Sequence, residues 1–425
     1  SGALDGGSGG NSVTLNDGGR SIDVTGADSG TTADIAGGVS NVGSFTGGTG
    51  NDTFAVSTGS LSGSLDGDAG DDSFAITGGV AGAIDGGADN DVLENTTGAN
   101  AFNLTGANSG TMSDLGLGFS NIESLLGGDG EDTFSIESAG SLSGSIDGVG
   151  TGNTINQDDD GVSFSVTGTD TGNTDGIVGG FTNVANLNGG AGNDTFDFTA
   201  SAGAVTGNID GEGGTNNLLL DDDGNAVVVD GDDSGTASPV DGTFSDISNI
   251  VGGAGNDTFD IDGGTLSGGV DGNGGGDSLT LDDNGNVVIL TGTDEGAATG
   301  LGAGFTDVDS VIGGAGDDIF VVAGGSISSI DGVDGTNDEL QLGSGNNTVN
   351  ITGANSGDAT NVTAFSNIAF IDGNDGDDTF NIASGGSLTG GIDGEDGDDT
   401  LAQGGDADTF TIDGTGSGTV NDTSA

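Results

Sequence analysis

The sequence predicts an all-β fold, a parallel β-solenoid or β-roll with about 20 residues per coil and three coils per repeat of about 61 residues. Three observations support this prediction. An acidic glycine turn recurs at a nearly constant spacing, short segments that alternate apolar and polar residues follow the turns, and 96 of the 425 residues are glycine. Alternation of this kind between turn residues is typical of half-buried strands, and glycine at this density excludes long helices.

The first turn class has the form Gly-Gly-x-Gly-x-Asp and leads into an apolar strand, as in Gly252 to Asp260. Similar turns begin at Gly47, Gly127, Gly189 and Gly313, and an altered copy begins at Gly373. The Asp at the sixth position is Asp52, Asp132, Asp194, Asp257, Asp318 or Asp378. These residues are separated by roughly 61 residues, with one longer step, and this spacing defines a repeat.

The second turn class opens with an apolar residue, Asp and Gly. Its opening Asp is Asp66, Asp85, Asp147, Asp210, Asp271, Asp331 or Asp393. Asp66 and Asp85 both lie inside the longer step, so we interpret that step as one duplicated coil of about 19 residues. The sixth-position residues of this class include Asp72, Asp91, Asp277 and Asp399. Three copies are weaker matches, because Asn153 and Asn216 replace the Asp and Gly332 to Leu340 contains an extra residue.

The third turn class follows an apolar strand, from Val24–Gly26 to Ile412–Gly414. This class lacks the Gly and Asp spacing of the other two classes, so we expect its turns to be exposed to solvent. Together the three classes predict one continuous solenoid over residues 1–425. Its repeats are expected at roughly 1–45 (partial), 46–125 (with one extra coil), 126–187, 188–250, 251–311, 312–371 and 372–425.

The composition excludes several classes of function. The net charge is −68 with a single basic residue, Arg20, so we expect no nucleic-acid partner. No apolar run is long enough to insert in a membrane. There is no Cys and no His, which removes thiolate metal sites and the commonest general base. An acidic, glycine-rich chain could be disordered, but regularly placed apolar residues favour folding once cations are present.

The stacked turns predict calcium. Adjacent coils would place their sixth-position Asp residues about 4.8 Å apart, where two like charges repel by roughly 3–4 kcal/mol at an effective dielectric constant of 20. Carboxylates and glycine carbonyls offer the six to eight oxygens that Ca²⁺ accepts, whereas Mg²⁺ requires a tighter octahedron. We therefore predict the sixth-position Asp residues as the main ligands and the opening Asp residues as additional ones. The alternative for each is a carboxylate that caps its own turn.

The turns also resemble the calcium-binding nonapeptide of RTX, or haemolysin-type, repeat proteins. Gly189 to Asp197 and Gly252 to Asp260 match that pattern fully. The resemblance implies a secreted bacterial or archaeal protein that exports unfolded and folds where calcium is abundant.

We therefore expect a non-enzymatic, extracellular structural or adhesive protein, such as a filament, matrix fibre, surface layer or large adhesin. Its expected partners are a second copy stacked head to tail, or further repeats of a longer chain, and other cell-surface or matrix polymers. One alternative is a polysaccharide-acting β-helix enzyme, although the only aromatic residues are 18 Phe. The other is an ice-binding solenoid, although outward Thr residues such as Thr53 and Thr258 recur only once per repeat.

Overall fold

The computed structural model describes residues 2–158 and 160–404 in full, together with the backbone of residues 419–422. These residues fall into two compact units. The first unit comprises residues 1–216 and 239–244, and the second comprises residues 217–238 and 245–425. The third-class turn at residues 412–414 lies outside the described residues. The extent of a single solenoid and its repeat boundaries stay predictions.

The fold class is confirmed, because the described residues form strands and no helix, and most strand pairs are parallel. The first unit contains β1(Leu4–Asp5), β2(Ser12–Thr14), β3(Ser21–Gly26), β4(Ser29–Thr32), β5(Ile35–Ser40), β6(Ser44–Thr49), β7(Thr53–Val56), β8(Ser64–Ala69), β9(Ser73–Ile76), β10(Ala83–Asp85), β11(Val92–Asn95), β12(Ala101–Gly106), β13(Ser109–Met112), β14(Phe119–Ser120), β15(Ser124–Leu126), β16(Thr133–Ile136), β17(Ile146–Asp147), β18(Thr154–Asn156), β19(Ser163–Gly168), β20(Thr171–Thr174), β21(Ile177–Thr182), β22(Asn186–Asn188), β23(Thr195–Asp197), β24(Ile209–Asp210) and most of β28(Val240–Ser245).

The second unit contains β25(Asn217–Leu219), β26(Ala226–Gly231), β27(Ser234–Ala237), β29(Asn249–Val251), β30(Thr258–Ile261), β31(Gly269–Asp271), β32(Ser278–Thr280), β33(Val287–Gly292), β34(Glu295–Ala298), β35(Gly304–Thr306), β36(Ser310–Ile312), β37(Ile319–Val322), β38(Ile327–Asp331), β39(Glu339–Gln341), β40(Thr348–Gly353), β41(Ser356–Ala359), β42(Val362–Ser366), β43(Phe370–Asp372), β44(Thr379–Ile382), β45(Gly391–Asp393), β46(Thr400–Gln403) and β47(Thr419–Asp422).

Within each unit, consecutive strands outside the hairpins alternate between two sheets, and each strand pairs in register with its counterpart one coil away. In the first unit, Phe54 of β7 pairs with Phe74 of β9, which pairs with Leu93 of β11. In the other sheet of that unit, Leu65 of β8 pairs with Ile84 of β10. The duplicated coil is therefore one whole turn of the solenoid, as the spacing of Asp66 and Asp85 predicts.

The core lies on the inward side of both sheets. Along β7, Phe54 and Val56 are fully buried while Thr53 is exposed. The inward rings also form stacked pairs, because a Phe in one coil lies over a Phe in the next. The centroid distances are 4.8 Å for Phe54–Phe74, 5.0 Å for Phe102–Phe134 and 5.3 Å for Phe164–Phe196. Since buried aromatic rings contribute strongly to core energetics, these pairs join neighbouring coils.

The third turn class differs from the prediction of a solvated turn between parallel strands. Val24–Gly26 ends β3, and the chain reverses at once, so that Gly26 pairs with Ser29 in an antiparallel hairpin. Strand β4 then pairs antiparallel with β5, which gives a three-stranded meander. Equivalent meanders are β12–β14, β19–β21, β33–β35 and β40–β42, and β26–β27 form an equivalent hairpin.

The meanders alternate between the two sheets of a unit. In the first unit, β3–β5 and β19–β21 lie in one sheet and β12–β14 in the other. In the second unit, the chain crosses between sheets at every step from β35 to β40, which is an odd number of crossings. Outside the repeat with the extra coil, four plain strands, such as β15–β18, lie between successive meanders, so a repeat is two plain coils plus a three-stranded meander rather than three equal coils. Because successive meanders lie in different sheets, both sheets gain the same number of extra strands. Inserting a whole coil adds one strand to each sheet and leaves this alternation unchanged.

Phe74→Ala tests the stacked core. The substitution removes a ring that is fully buried against Phe54. We expect the free energy of unfolding to fall by about 3–5 kcal/mol, measured by urea denaturation at fixed calcium. Phe370→Ala is the control, because that ring is 37% exposed. Equal losses in the two variants would contradict the position of the core.

Candidate metal-binding turns

The sixth-position Asp residues lie inside the turns, and hydrogen bonds link each one to the coil before it. The backbone N–H of Asp52 donates to Oδ1 of Asp72 at 2.7 Å, and the N–H of Asp72 donates to Oδ1 of Asp91 at 2.8 Å. The same bond is accepted by Oδ1 of Asp52, Asp132, Asp194, Asp257, Asp277, Asp318, Asp338, Asp378 and Asp399. Stacking of these residues across neighbouring coils agrees with the prediction from the sequence.

The sixth-position carboxylates do not form one uninterrupted column along the described coils. Asn153 and Asn216 take the Asp position above Asp132 and Asp194, and their Oδ1 atoms accept the same hydrogen bond at 2.8 Å. Runs of adjacent carboxylates are therefore short, and the longest run of sixth-position Asp residues is Asp52, Asp72 and Asp91. Asn153 and Asn216 relieve the like-charge repulsion at Asp132 and Asp194, whereas the stacked pairs Asp257–Asp277, Asp318–Asp338 and Asp378–Asp399 remain.

The second carboxylate oxygen of these Asp residues is buried without a hydrogen-bond partner. This holds for Oδ2 of Asp52, Asp72, Asp91, Asp132, Asp194, Asp257, Asp277, Asp318, Asp338 and Asp378. All ten residues are at most 2% exposed. An unpaired buried polar atom costs about 1–3 kcal/mol, and more if it is charged. We call a turn with such an Asp an open turn.

Carbonyl oxygens lie beside these unpaired atoms. At Gly67, the first residue of the turn that ends in Asp72, a Cβ would lie 2.0 Å from Asp72 Oδ2 and 2.3 Å from the Gly86 carbonyl oxygen. At Gly272 a Cβ would lie 2.5 Å from Asp277 Oδ2 and 2.1 Å from the Asp307 carbonyl oxygen. A carboxylate oxygen and a carbonyl oxygen of the next coil therefore face the same small space. Both oxygens are hydrogen-bond acceptors, and Oδ2 of Asp72 and of Asp277 has no donor.

Asparagine fills the equivalent space in other coils with an N–H donor. Nδ2 of Asn225 donates to the carbonyl oxygens of Asp221, Asp223 and Gly252 at 3.0, 2.8 and 3.0 Å. Nδ2 of Asn100, Asn286 and Asn347 makes the same three kinds of bond. We call a turn of this kind a closed turn. The three hydrogen bonds show that three carbonyl oxygens point towards the Asn amide nitrogen, whose hydrogens carry partial positive charge.

Other side chains also donate hydrogen bonds to carbonyl oxygens of the turns, as the closed-turn Asn residues do. Nδ2 of Asn153 donates to the carbonyl oxygens of Gly150 at 3.1 Å and Asn183 at 2.8 Å. Nδ2 of Asn216 donates to the Gly213 carbonyl at 3.1 Å.

Arg20, the single cationic side chain of the sequence, follows the turn in the position that Asn225 has in its own coil. Its guanidinium donates to the carbonyl oxygens of Asn16 at 3.2 Å and Asp17 at 3.1 Å, and it pairs with Asp34 at 3.3 Å. The chain's own cation is thus placed against turn carbonyls.

Burial raises the pKa of the open-turn carboxyl groups. Loss of hydration raises the pKa of Asp72, Asp277 and Asp318 to about 6, and that of Asp91 to about 7. Neighbouring carboxylates add to this effect, since Asp52 lies beside Asp72. Burial also raises the pKa of Asp52, Asp132, Asp194, Asp257, Asp338 and Asp378. Without a cation, the fold therefore favours the protonated form of these groups.

The two glycines that open each first-class turn have different roles. Gly252 does not have a positive φ, but a Cβ there would lie 2.4 Å from Oδ2 of Asp257. Gly253 has a φ of 104°, which favours glycine. In the second class the corresponding residue is often not glycine, for example Asn273 with φ 68° and Val149 with φ 62°. The first glycine leaves room for the carboxylate, and the second permits the turn.

The opening Asp residues of the second class act as turn caps. Oδ1 of Asp271 accepts the N–H of Asn273 at 3.0 Å, an Asx turn that supports its left-handed backbone. Asp66, Asp147, Asp210, Asp331 and Asp393 make the same bond. Asp85 instead accepts Nδ2 of Asn121 at 2.7 Å. The structure thus places them beside the turns as caps, and a metal-binding role for them stays a prediction.

Sequence reasoning missed three features of the site. Asp338 is fully buried in an open turn despite the extra residue after Gly332. The pairing of Leu340 with Phe320 gives the register that would have identified it. Glu123 and Asp309 accept the N–H groups of Asp91 and Asp277, and so end two of the columns. The third feature, the closed turns, has a sequence signal in the Asn that directly precedes four of the six described hairpins.

The arrangement is suited to a hard cation held mainly by backbone carbonyls. Among the described residues, no group of three or more acidic side chains is placed to hold a metal ion together. The open turns at Asp72 and Asp277 instead combine a carboxylate with a carbonyl oxygen of the adjacent coil. Ca²⁺ accepts such all-oxygen sets in flexible geometry.

No protein-family model matches the chain, and no curated protein matches it. Among solved structures, the chain is similar to a hyperactive, Ca²⁺-dependent, β-helical antifreeze protein from an Antarctic bacterium. The identity is 20%, the match covers 85% of this chain and 79% of that chain, and the TM-score is 0.10. A score this low carries no argument about fold or function. In the described part of the chain, no helix is long and apolar enough to cross a membrane.

Gly252→Ala tests the packing of the carboxylate against the first glycine. The new Cβ would overlap Oδ2 of Asp257, so we expect a loss of about 1–3 kcal/mol in the free energy of unfolding in calcium. Gly274→Ala is the matched control, because nothing lies within 4 Å of a Cβ there. Equal effects in urea denaturation would show that the carboxylate does not occupy this space.

The raised pKa values predict the pH dependence of the calcium-free protein. A carboxyl whose pKa is higher in the folded state than its unfolded value of about 3.9 stabilises the fold below that value. That stabilisation is lost as the pH rises through the folded pKa, which is about 6 for Asp72 and about 7 for Asp91. In excess chelator, the melting temperature followed by circular dichroism should therefore fall between pH 4 and pH 7.5. With saturating calcium the fall should be smaller. A calcium-free melting temperature that rises over this range would contradict the buried, unpaired carboxylates.

Proposed function

We propose that the chain is a calcium-stabilised β-solenoid that serves as a structural or adhesive part of an extracellular protein. Its open turns would bind Ca²⁺ through the sixth-position Asp residues and the carbonyl oxygens of adjacent coils. In this proposal the chain has no catalytic role, and it is related to RTX repeat proteins.

The comparison between open and closed turns carries the proposal. Asn225 places an amide N–H₂ among three carbonyl oxygens, whereas Asp277 leaves a buried oxygen beside the carbonyl of Asp307. A cation in the open turns would replace the missing amide hydrogens. It would also neutralise the carboxylates, which burial otherwise drives towards protonation. Binding that requires the folded turn adds its free energy to folding.

The extracellular setting follows from this coupling. Because a chain with a charge of −68 is opposed by its own repulsion unless cations are bound, its fold would be much less stable where calcium is scarce. Millimolar calcium outside the cell would fold and stiffen it. A rigid element with repeated coils and no His or Cys suits a filament, matrix, surface-layer or adhesin role better than catalysis.

Ice binding is less well supported. Thr348, Thr379 and Thr400 form one in-register row of outward residues on β40, β44 and β46. The corresponding row on β33, β37 and β39 contains Val287, Ile319 and Glu339 instead. A flat Thr array over many coils, which ice binding would require, is therefore limited to a few strands.

Asp72→Asn tests the calcium proposal by closing an open turn. Asn at this position should accept the Asp52 N–H through Oδ1 and donate from Nδ2 to the nearby carbonyls, as Asn153 does. We expect the calcium-free protein to become more stable by about 1–3 kcal/mol, with about one calcium fewer bound at saturation. Urea denaturation in chelator and equilibrium dialysis with calcium measure the two effects.

Asp71→Asn is the matched control, because the exposed neighbour changes the net charge equally outside the turn interior. Its stability should change by less than about 0.5 kcal/mol and its calcium content should stay constant. If Asp72→Asn destabilises the calcium-free protein, or leaves the bound calcium unchanged, the proposal is wrong.

A further inference from the structure

We propose that the closed turns at Asn100, Asn225, Asn286 and Asn347 fold without calcium, and that each forms a local nucleus with the antiparallel hairpin that follows it. This inference rests on the proposed function, because it divides the chain into calcium-dependent and calcium-independent segments. Calcium would then fold the open coils onto segments that already have their native shape.

In a closed turn, the Asn amide donates hydrogen bonds to the turn's own carbonyl oxygens, so no cation is needed there. Nδ2 of Asn286 donates to the carbonyl oxygens of Asp282 and Asn284 at 2.9 and 2.8 Å, both within its own turn. The backbone N–H of Asn286 donates to Oδ1 of Asp318 at 2.7 Å. Asn286 is 2% exposed, and its amide hydrogens have partners. The two bonds within the turn involve no buried carboxylate, whereas the bond to Asp318 requires the adjacent coil.

Each of these Asn residues also directly precedes a hairpin. Val287, the next residue, begins β33, and β33 pairs antiparallel with β34. A hydroxyl group closes the open end of the hairpin, because the N–H of Val287 donates to Oγ1 of Thr299 at 3.0 Å. The N–H of Thr299 returns a hydrogen bond to the Val287 carbonyl oxygen at 3.1 Å.

The same closure occurs after the other three Asn residues, always between residues 12 positions apart. The pairs are Ala101–Ser113, Ala226–Ser238 and Thr348–Thr360, with N–H to hydroxyl distances of 3.1, 2.7 and 2.8 Å. Recurrence of one closed turn and one clamped hairpin at four places makes this a feature of the repeat.

Closed and open turns also differ in the sequence separation of the residues that they join. The hairpin contacts join residues 12 or fewer positions apart, so closing these loops costs little entropy. In the open turns, the side-chain and N–H hydrogen bonds of Asp257 and Asp277 all join residues 20 or more positions away. Oδ2 of each of these two Asp residues is also buried without a hydrogen-bond partner. Local contacts form first in such a chain, and the open coils lack both local partners and charge balance.

Hydrogen–deuterium exchange of the full chain, with mass spectrometry, tests this inference. In excess chelator, we expect peptides covering 225–238, 286–299 and 347–360 to exchange at least about tenfold more slowly than peptides covering the open turns 252–261 and 272–281. Calcium should then slow exchange in both groups. If closed and open segments exchange equally fast in chelator but calcium slows both, the inference is overturned and the calcium function stands. If calcium changes neither group, both are overturned.

Asn286→Asp gives a second test, with Asn284→Asp as its control. Asp at 286 would place an unpaired oxygen among the turn carbonyls, so protection of 287–299 in chelator should be lost and calcium should restore it. Asn284 is exposed and its Nδ2 bonds only Asp282, so the same charge change there should leave protection unchanged. Retained protection in Asn286→Asp, or an equal loss in the control, overturns the inference.

Discussion

The structure depends on how the buried sixth position of each turn meets the carbonyl oxygens around it. Stacking of coils brings carbonyls of adjacent turns together, and each such place needs an N–H donor, a proton or a cation. Asn225 supplies amide hydrogens, whereas Asp257 leaves one carboxylate oxygen without a partner. The same requirement explains why Gly252 has no side chain, since its Cβ would collide with that oxygen. The turn sequence and the placing of charge follow from this one local constraint, and so does the proposed calcium dependence.

A second constraint is that both sheets of a unit must gain strands at the same rate. Each meander adds antiparallel strands to one sheet only, as β19–β21 do. An odd number of crossings per repeat sends the next meander to the other sheet. The extra coil between Asp66 and Asp85 adds an even number of crossings and is tolerated. Both the length of the repeat and the length of the insertion therefore follow from the need to place successive meanders in different sheets.

The repeat spacing predicted most of the fold, because strands such as Thr53–Val56 and Ser73–Ile76 carry the same alternation and pair in register. It did not predict the hairpins, since Gly26 and Ser29 have the residue types of any tight turn and only the pairing distinguishes them. In the site, the buried Asp positions were predictable from the motif. The filling of closed turns by Asn was not, because it depends on carbonyls such as that of Gly252, 27 residues away.

The most direct test of the central claim is anomalous diffraction from crystals grown in calcium, recorded at long wavelength. Calcium peaks are predicted beside Oδ2 of Asp257, Asp277 and Asp318, between that oxygen and the carbonyls of the adjacent coil. No peaks are predicted at Asn225, Asn286 and Asn347, where amide hydrogens occupy the equivalent space. Peaks at the Asn turns, or open turns without calcium, would contradict the account.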